Sequence, residues 1–179
     1  MKWLKRIALV LGAALGLGAF WAWWTIQRQL PDGSVPVIHG LANRVQVTFD
    51  GRGVPTIRAG SFQDAFRVQG YLSARERLFQ MELQRRAADG LLSEILGPAA
   101  LPLDRTHRVY GFHQAADAAL PRLPEDERES LEAFSDGVNA FNQSQPDRWG
   151  LEFQLLGIRP RPWTPADCLK GLLLLHEDL

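Results

Sequence analysis

The first hydrophobic pattern along the chain is an uncharged apolar run from residue 7 to residue 26. Lys2, Lys5 and Arg6 precede the run, and three tryptophans lie near its far end. As a helix rising about 1.5 Å per residue, the run would span roughly 30 Å, which matches the hydrocarbon core of a bilayer. The basic residues before it and the lack of a signal-peptidase site after it favour one uncleaved transmembrane helix. We therefore expect a chain anchored in the cytoplasmic membrane, with its bulk on the periplasmic or extracytoplasmic side.

An alternating pattern comes next and predicts a β-hairpin. Apolar and polar residues alternate over residues 45–49, which is the period of a half-buried strand. Asp50-Gly51-Arg52-Gly53 is typical of a turn, and residues 54–57 return as the partner strand. Because Pro55 has no N–H to donate, we expect this second strand to be irregular there or to lie at an edge.

Helical patterns begin after the hairpin. Ser61 and Asp64 resemble a capping box, in which the hydroxyl and the carboxylate each accept a hydrogen bond from a free amide. Gly70 is expected to break this helix before a second one starts at Tyr71. Gly90 interrupts the second helix.

Two further helices are predicted towards the end of the chain. Pro124 is suited to a first helical position, and the apolar period continues from there to about Gln143. Prolines 160, 162 and 165 precede a last helix, which contains four consecutive leucines at residues 172–175. Such an apolar segment is expected to be covered by further structure.

Composition and charge exclude several classes of protein. The chain has 179 residues, of which 46% are apolar, so it can bury a core. Four of its 20 basic residues and none of its 20 acidic residues lie in the first 30 positions, which leaves the rest weakly acidic and predicts no nucleic-acid partner. Cys168 is the only cysteine, so it forms no intrachain disulfide, and we interpret it as a small buried apolar residue rather than a nucleophile.

Catalytic and metal-binding motifs are missing from the residues themselves. The four histidines are too scattered for a metal-ligand spacing, and no serine lies in a Gly-x-Ser-x-Gly elbow. From the residues alone the chain is an α+β, mostly helical protein with an N-terminal β-hairpin.

A run of unlike residues then resembles the start of the α chain of the penicillin acylase family. The resemblance covers about residues 44–175 and is most specific from Gly70 to Gly97. The matching segments are Asp50-Gly51-Arg52-Gly53-Val54-Pro55-Thr56-Ile57, Asp64-Ala65, Gly70-Tyr71, Ala74-Arg75-Glu76-Arg77-Leu78-Phe79-Gln80-Met81-Glu82, Arg85-Arg86, Gly90, Glu94, Leu96-Gly97, Asp104, Arg108, Gly137-Val138-Asn139-Ala140, Glu152-Phe153 and Pro162-Trp163-Thr164-Pro165-Ala166-Asp167.

The resemblance implies a fold and a reaction. Members of this family are N-terminal-nucleophile hydrolases with an αββα fold, made as precursors that cut themselves into α and β chains. A serine at the start of the β chain attacks the amide, and its own α-amino group, with a pKa of about 8, acts as the base. No serine here matches that position, so the expected catalytic residue is absent from this chain. We expect the chain alone to be inactive and the β-chain region of the same precursor to be its partner.

The resemblance also implies roles for individual residues. The helix after Pro162-Trp163 contributes to the family's acyl-binding pocket, which places Leu175, His176 and Leu179 near a small acyl-amide substrate. Calcium is possible in complete members, but its ligands would follow Leu179, so no cofactor is expected here. Five charged residues are interpreted as a buried ion-pair network rather than as substrate contacts. They are Arg75, Glu76, Arg77, Arg85 and Arg86.

Two functions remain open at this point. The chain is either the N-terminal, incomplete portion of an extracytoplasmic acylase, acting on β-lactam side chains or N-acyl homoserine lactones, or an anchored remnant or binding module without hydrolase activity. The predicted organisation is a membrane anchor or signal-like segment over residues 1–29, a linker over residues 30–43 and an α-chain region over residues 44–179.

Overall fold

The computed structural model describes residues 2–29 and 38–177. In this part of the chain, eight α-helices accompany one two-stranded sheet. The elements are α1 (Lys2–Gln29), β1 (Gln46–Phe49), β2 (Pro55–Arg58), α2 (Phe62–Asp89), α3 (Ser93–Leu96), α4 (Leu101–Tyr110), α5 (Phe112–Ala119), α6 (Glu125–Ser144), α7 (Leu151–Leu156) and α8 (Pro165–Glu177). The predicted mostly helical protein with an N-terminal hairpin is therefore confirmed.

Helix α1 contains the apolar run but does not support the predicted membrane anchor. Across residues 2–29 and 38–177, no helix combines the length and the apolar character needed to cross a bilayer. The aliphatic residues of α1 are interspersed with glycines and tryptophans, which contribute little to hydropathy. The predicted transmembrane helix, the membrane as a partner and the membrane-anchored location are therefore wrong. Most of the predicted linker, residues 30–37, lies outside the described residues.

The hairpin forms as predicted. Strands β1 and β2 are antiparallel, with Val47 opposite Ile57 and Phe49 opposite Pro55. The Asp50 carboxylate closes the turn by accepting hydrogen bonds from the N–H groups of Arg52 and Val54, each at 2.8 Å. Pro55 is the first residue of its strand, a position that a residue without an N–H tolerates.

The start of α2 differs in part from the predicted capping box. Ser61 Oγ does accept a hydrogen bond from the Asp64 N–H, at 3.1 Å. The Asp64 carboxylate, however, accepts from the N–H groups of Ala42 at 2.8 Å and Asn43 at 3.1 Å, and this fixes the incoming loop to the helix. The hydrogen bond from Ala42 is the main reason that the pKa of Asp64 is lowered.

Helix α2 continues through Gly70, so the predicted break there is wrong. A Cβ at Gly70 would lie 2.1 Å from the Phe134 carbonyl oxygen, and one at Gly137 would lie 1.9 Å from the Arg67 carbonyl oxygen. The two glycines therefore allow α2 and α6 to pack backbone against backbone. The irregularity in α2 comes later, at Arg77, whose φ of −149° and ψ of 32° are not helical.

The α2–α6 pair forms the centre of the core. Tyr71 packs edge-on against Phe141, with ring centroids 5.5 Å apart, and Phe79 packs edge-on against Phe153 at 5.4 Å. Val138 and Phe141 of the predicted α6 stripe are almost fully buried. Helix α6 begins one residue after the predicted start, because Pro124 has an extended ψ and precedes the first turn.

Three short helices were not predicted from the sequence. Helices α4 and α5 are separated by Gly111 in the left-handed region, and α7 ends at the left-handed Gly157. Helices α4 and α5 pack beside α2, and α5 also contacts α8. They thereby enclose one side of the last helix, on which the predicted site residues lie.

Candidate functional site

Buried charges join α8 to α2. Lys170 Nζ lies 2.9 Å from Asp167 Oδ1 on its own helix and 2.8 Å from Asp89 Oδ1 at the end of α2. Arg85 Nη1 lies 3.6 Å from Asp167 Oδ2. Since all four side chains are buried or nearly so, water screens these pairs weakly, and the removal of one partner would leave an uncompensated charge.

Arg85 also fixes the segment that leads into α8. Its guanidinium donates to Glu82 and to the carbonyl oxygens of Arg161 at 3.3 Å and Pro162 at 3.0 Å. The same group lies 5.3 Å from the centre of the Trp163 ring, in a cation–π arrangement. The segment before α8 is thereby tied to the C-terminal part of α2.

The predicted ion-pair network is present, although it does not include all five predicted residues. Arg85 and Arg86 both pair with the buried Glu82, and Arg86 extends the network to Glu94 of α3. Arg75 pairs with its neighbour Glu76 at 2.8 Å and lies over the Phe49 ring instead. The remaining residue, Arg77, lies at the irregularity in α2.

Burial and hydrogen bonds shift the pKa values of three buried groups on α8. Burial would raise the pKa of Asp167, but hydrogen bonds from Lys170 and Thr164 outweigh it and lower the pKa. Burial would lower the pKa of Lys170, but Asp89 and Asp167 raise it. Burial raises the pKa of the Cys168 thiol, so this side chain stays protonated and is a poor nucleophile. This agrees with its interpretation as a small apolar residue.

One side of α8 forms an apolar cleft with α2, α3 and α4, which we call the leucine cleft. Its volume is about 480 Å³, within the usual range for small-molecule sites. Six leucines supply most of its apolar lining: Leu83, Leu92, Leu96, Leu103, Leu174 and Leu175. A cleft of this size and composition suits a hydrocarbon group.

A histidine–glutamate contact closes one end of the leucine cleft. His107 Nδ1 lies 2.7 Å from the Ala87 carbonyl oxygen, which can only accept, so Nδ1 carries a proton. The other ring nitrogen, Nε2, lies 3.1 Å from Glu177 Oε2, and this contact is an ion pair when the ring is protonated. His107 thus connects α4 to the end of α2 and to the last turn of α8.

The structure places two of the three predicted substrate residues, Leu175 and His176, and gives them different surroundings. Leu175 lines the leucine cleft. His176 is exposed in the last turn of α8 and is not among the residues that line this cleft. Leu179 lies outside the described residues. The sequence did not predict His107 or the leucines of α3 and α4 as neighbours of Leu175, although the i, i+4 spacing of Leu92 and Leu96 is a weak sign of an apolar face.

The cleft can bind but holds no recognisable reacting group. Among the residues that the structure describes, its lining includes no serine, threonine or cysteine, and His107 and Glu177 are the titratable side chains. Within residues 2–29 and 38–177 there is also no group of three or more histidine, cysteine, aspartate or glutamate side chains placed to hold a metal ion. The calcium that is possible in complete family members stays a prediction.

Comparison with known proteins identifies relatives that are acylases. Acyl-homoserine lactone acylase QuiP of Pseudomonas aeruginosa is 34% identical over 188 aligned positions, which cover 100% of this chain and 22% of QuiP. Penicillin acylase 2 proenzyme of Pseudomonas sp. strain SE83 is 39% identical over 142 positions, covering 78% of this chain and 18% of the proenzyme. The chain thus spans about a fifth of the length of these curated relatives.

The fold comparison agrees. Thermostable penicillin G acylase from Alcaligenes faecalis superposes with a TM-score of 0.66 and 28% identity, over 73% of this chain and 70% of the matched chain. The family model for penicillin amidase matches residues 44–179. On this evidence the chain belongs to the penicillin amidase family.

Proposed function

We propose that this chain is the N-terminal portion of an acylase precursor that hydrolyses the amide bond between an acyl group and an amine. The family match over residues 44–179 and the acylase relatives support this reaction class. The complete protein would adopt the αββα fold of N-terminal-nucleophile hydrolases and mature by cutting itself. Its substrates would be β-lactam side chains or N-acyl homoserine lactones, the classes named in its relatives.

The nucleophile is proposed to lie in the β-chain region of the precursor. The relatives are about five times as long as this chain, which leaves room for that region. A serine with a free α-amino group would there serve as nucleophile and base. The chain itself would contribute structure and part of the acyl-binding surface.

The leucine cleft is the observation that carries the proposal, since it offers a place for the acyl group. Leu175, predicted to contact the acyl group, lines this cleft of about 480 Å³. The buried ion pairs and the His107–Glu177 contact hold α8 in place and keep the cleft open. Burial of each methylene of an acyl chain contributes about 0.8 kcal/mol, so a cleft lined by leucines favours longer chains.

A chimeric precursor tests this assignment. Residues 44–177 would replace the matching part of the Pseudomonas sp. penicillin acylase 2 proenzyme, and KM would be measured for acyl p-nitroanilides of increasing chain length. Leu175→Gln is expected to raise KM most for the longest chains and to leave kcat nearly unchanged. Leu172→Gln is the matched control, because this leucine is equally exposed on α8 but lies outside the leucine cleft. Equal KM values for Leu175→Gln and the unmodified chimera at every chain length would contradict the assignment.

A further inference from the structure

A second depression lies beside the leucine cleft, between α2, α6 and α8. Its volume is about 360 Å³. Its apolar wall consists of Phe66, Met81, Leu131, Phe134, Trp163 and Leu172. We call this depression the arginine groove, because Arg77 of α2 also lines it.

The polar groups of the arginine groove follow one stripe of α2. Gln69, Ser73, Arg77 and Gln84 all line it, and their spacings of four, four and seven residues fit one face of the helix. At about 1.5 Å per residue the stripe is roughly 20 Å long. The groove is therefore elongated along α2, whose polar groups alternate with Phe66 and Met81, and the apolar side chains of α6 and α8 lie beside this stripe.

Arg77 is the charged group of the groove that has no partner in the described part of the chain. Arg85 and Asp167 also line the groove, but each is held in the buried ion network with Glu82 or Lys170. The Arg77 side chain, by contrast, makes no ion pair or hydrogen bond within residues 2–29 and 38–177 and is exposed. It lies where α2 departs from helical geometry.

These features together define a ligand class. A guanidinium has a planar set of donors that fits a carboxylate in a bidentate arrangement. The wall of Phe134, Met81 and Leu172 offers contact to hydrocarbon but no further charge. We propose that the arginine groove binds a small apolar carboxylic acid, with the carboxylate on Arg77 and the hydrocarbon part along this wall.

The proposal is separate from the proposed acylase function, which depends on the leucine cleft. Leu172 and Leu175 allow the two sites to be distinguished, because they are 62% and 61% exposed and line the arginine groove and the leucine cleft, respectively. Substitution of either residue by glutamine removes apolar contact from one site while leaving the other intact. Since both side chains are largely exposed, neither change should unfold the protein.

Calorimetric titration of the full chain with octanoate and with octan-1-ol tests the proposal. Arg77→Gln is expected to weaken octanoate binding on the order of tenfold and to leave octan-1-ol binding unchanged, because only the charged ligand uses the guanidinium. Arg105→Gln, an exposed arginine on α4 that does not line the groove, is the control and should change neither affinity. Far-UV circular dichroism would establish that each variant is folded.

The two leucine variants show in which of the two depressions octanoate binds. For the octanoate-binding step that Arg77→Gln weakens, Leu172→Gln is expected to lower the affinity severalfold, whereas Leu175→Gln should leave it unchanged. The proposal is overturned if octanoate does not bind, if Arg77→Gln binds it as tightly as the unmodified chain, or if only Leu175→Gln reduces binding. The last result would place octanoate in the leucine cleft and would leave the acylase proposal standing.

Discussion

Leu172 and Leu175 are three residues apart on α8, and they line two different depressions that lie side by side along the helix. Gly171 lines both depressions, and so does Gln84 of α2. The α2–α8 contact thus separates the leucine cleft from the arginine groove. The buried ion pairs that hold this contact therefore set the geometry of both sites.

The close packing of α2 and α6 predicts a large effect of small substitutions. Gly70→Ala and Gly137→Ala each place a Cβ about 2 Å from a backbone carbonyl oxygen, so the helices must move apart. We expect each substitution to lower the free energy of unfolding by about 1–3 kcal/mol or more. Gly171→Ala is the control, because nothing lies within 4 Å of its Cβ position. It should stabilise the protein by up to about 1 kcal/mol through its better helix propensity. Urea denaturation measures all three.

The ion network predicts how stability depends on pH. The pKa of Asp167 is lowered in the folded chain. Its contribution to the free energy of unfolding is therefore present above its pKa of about 4 in the unfolded chain and is lost as the pH falls through its pKa in the folded chain. The pKa of Lys170 is raised in the folded chain. Its contribution to the free energy of unfolding is therefore present below its pKa of about 10.4 in the unfolded chain and is lost as the pH rises through its pKa in the folded chain.

Asp167→Asn should therefore destabilise the chain at pH 7 and should reduce the loss of stability on acidification to pH 3. Asp117→Asn, at an exposed carboxylate on α5, is the control and should leave the loss of stability at acidic pH nearly unchanged. Urea midpoints at a series of pH values supply the measurement. If stability falls equally steeply with decreasing pH in Asp167→Asn and in the unmodified chain, the Asp167 carboxylate does not control the loss of stability in acid.

The contacts of His107, which lines the leucine cleft, predict a local effect of its substitution. His107→Phe removes the hydrogen bond to the Ala87 carbonyl and the contact with Glu177, and it should cost about 1–3 kcal/mol of stability. Hydrogen exchange in the last turn of α8 should also become faster. His113→Phe is the matched control, since this side chain is 53% exposed, and should change stability by less than about 0.5 kcal/mol. Unchanged exchange at the end of α8 in His107→Phe would show that the contact does not anchor this turn.

Much of the fold could be predicted because its patterns are local. The hairpin follows from the alternation at residues 45–49 and from the Asp50 turn, and α6 follows from a long apolar period. The short helices α4, α5 and α7 have six to ten residues, too few for such a period to stand out. The sequence predicts a helix break at Gly70, because the close contact with another helix that requires this glycine depends on the tertiary structure.

The candidate site was predictable only in part for the same reason. Its position on α8 came from the family resemblance, and Leu175 does line a cleft. The other walls come from residues about 70–90 positions earlier in the chain, and neither periodicity nor composition indicates which of them meet α8. Arg77, Arg85 and Arg86 are the same residue type, so the sequence predicts one ion-pair network for all three. Only their surroundings in the folded chain distinguish Arg77 from the other two.

Release of p-nitroaniline from phenylacetyl and octanoyl p-nitroanilides would show whether this chain supplies acyl-binding structure to an acylase while the nucleophile lies in the β-chain region. We expect no turnover above background by the purified chain of residues 1–179, and clear turnover by the chimeric precursor that carries residues 44–177. Turnover by residues 1–179 alone would contradict this expectation, as would a chimera that folds and processes itself but hydrolyses neither substrate.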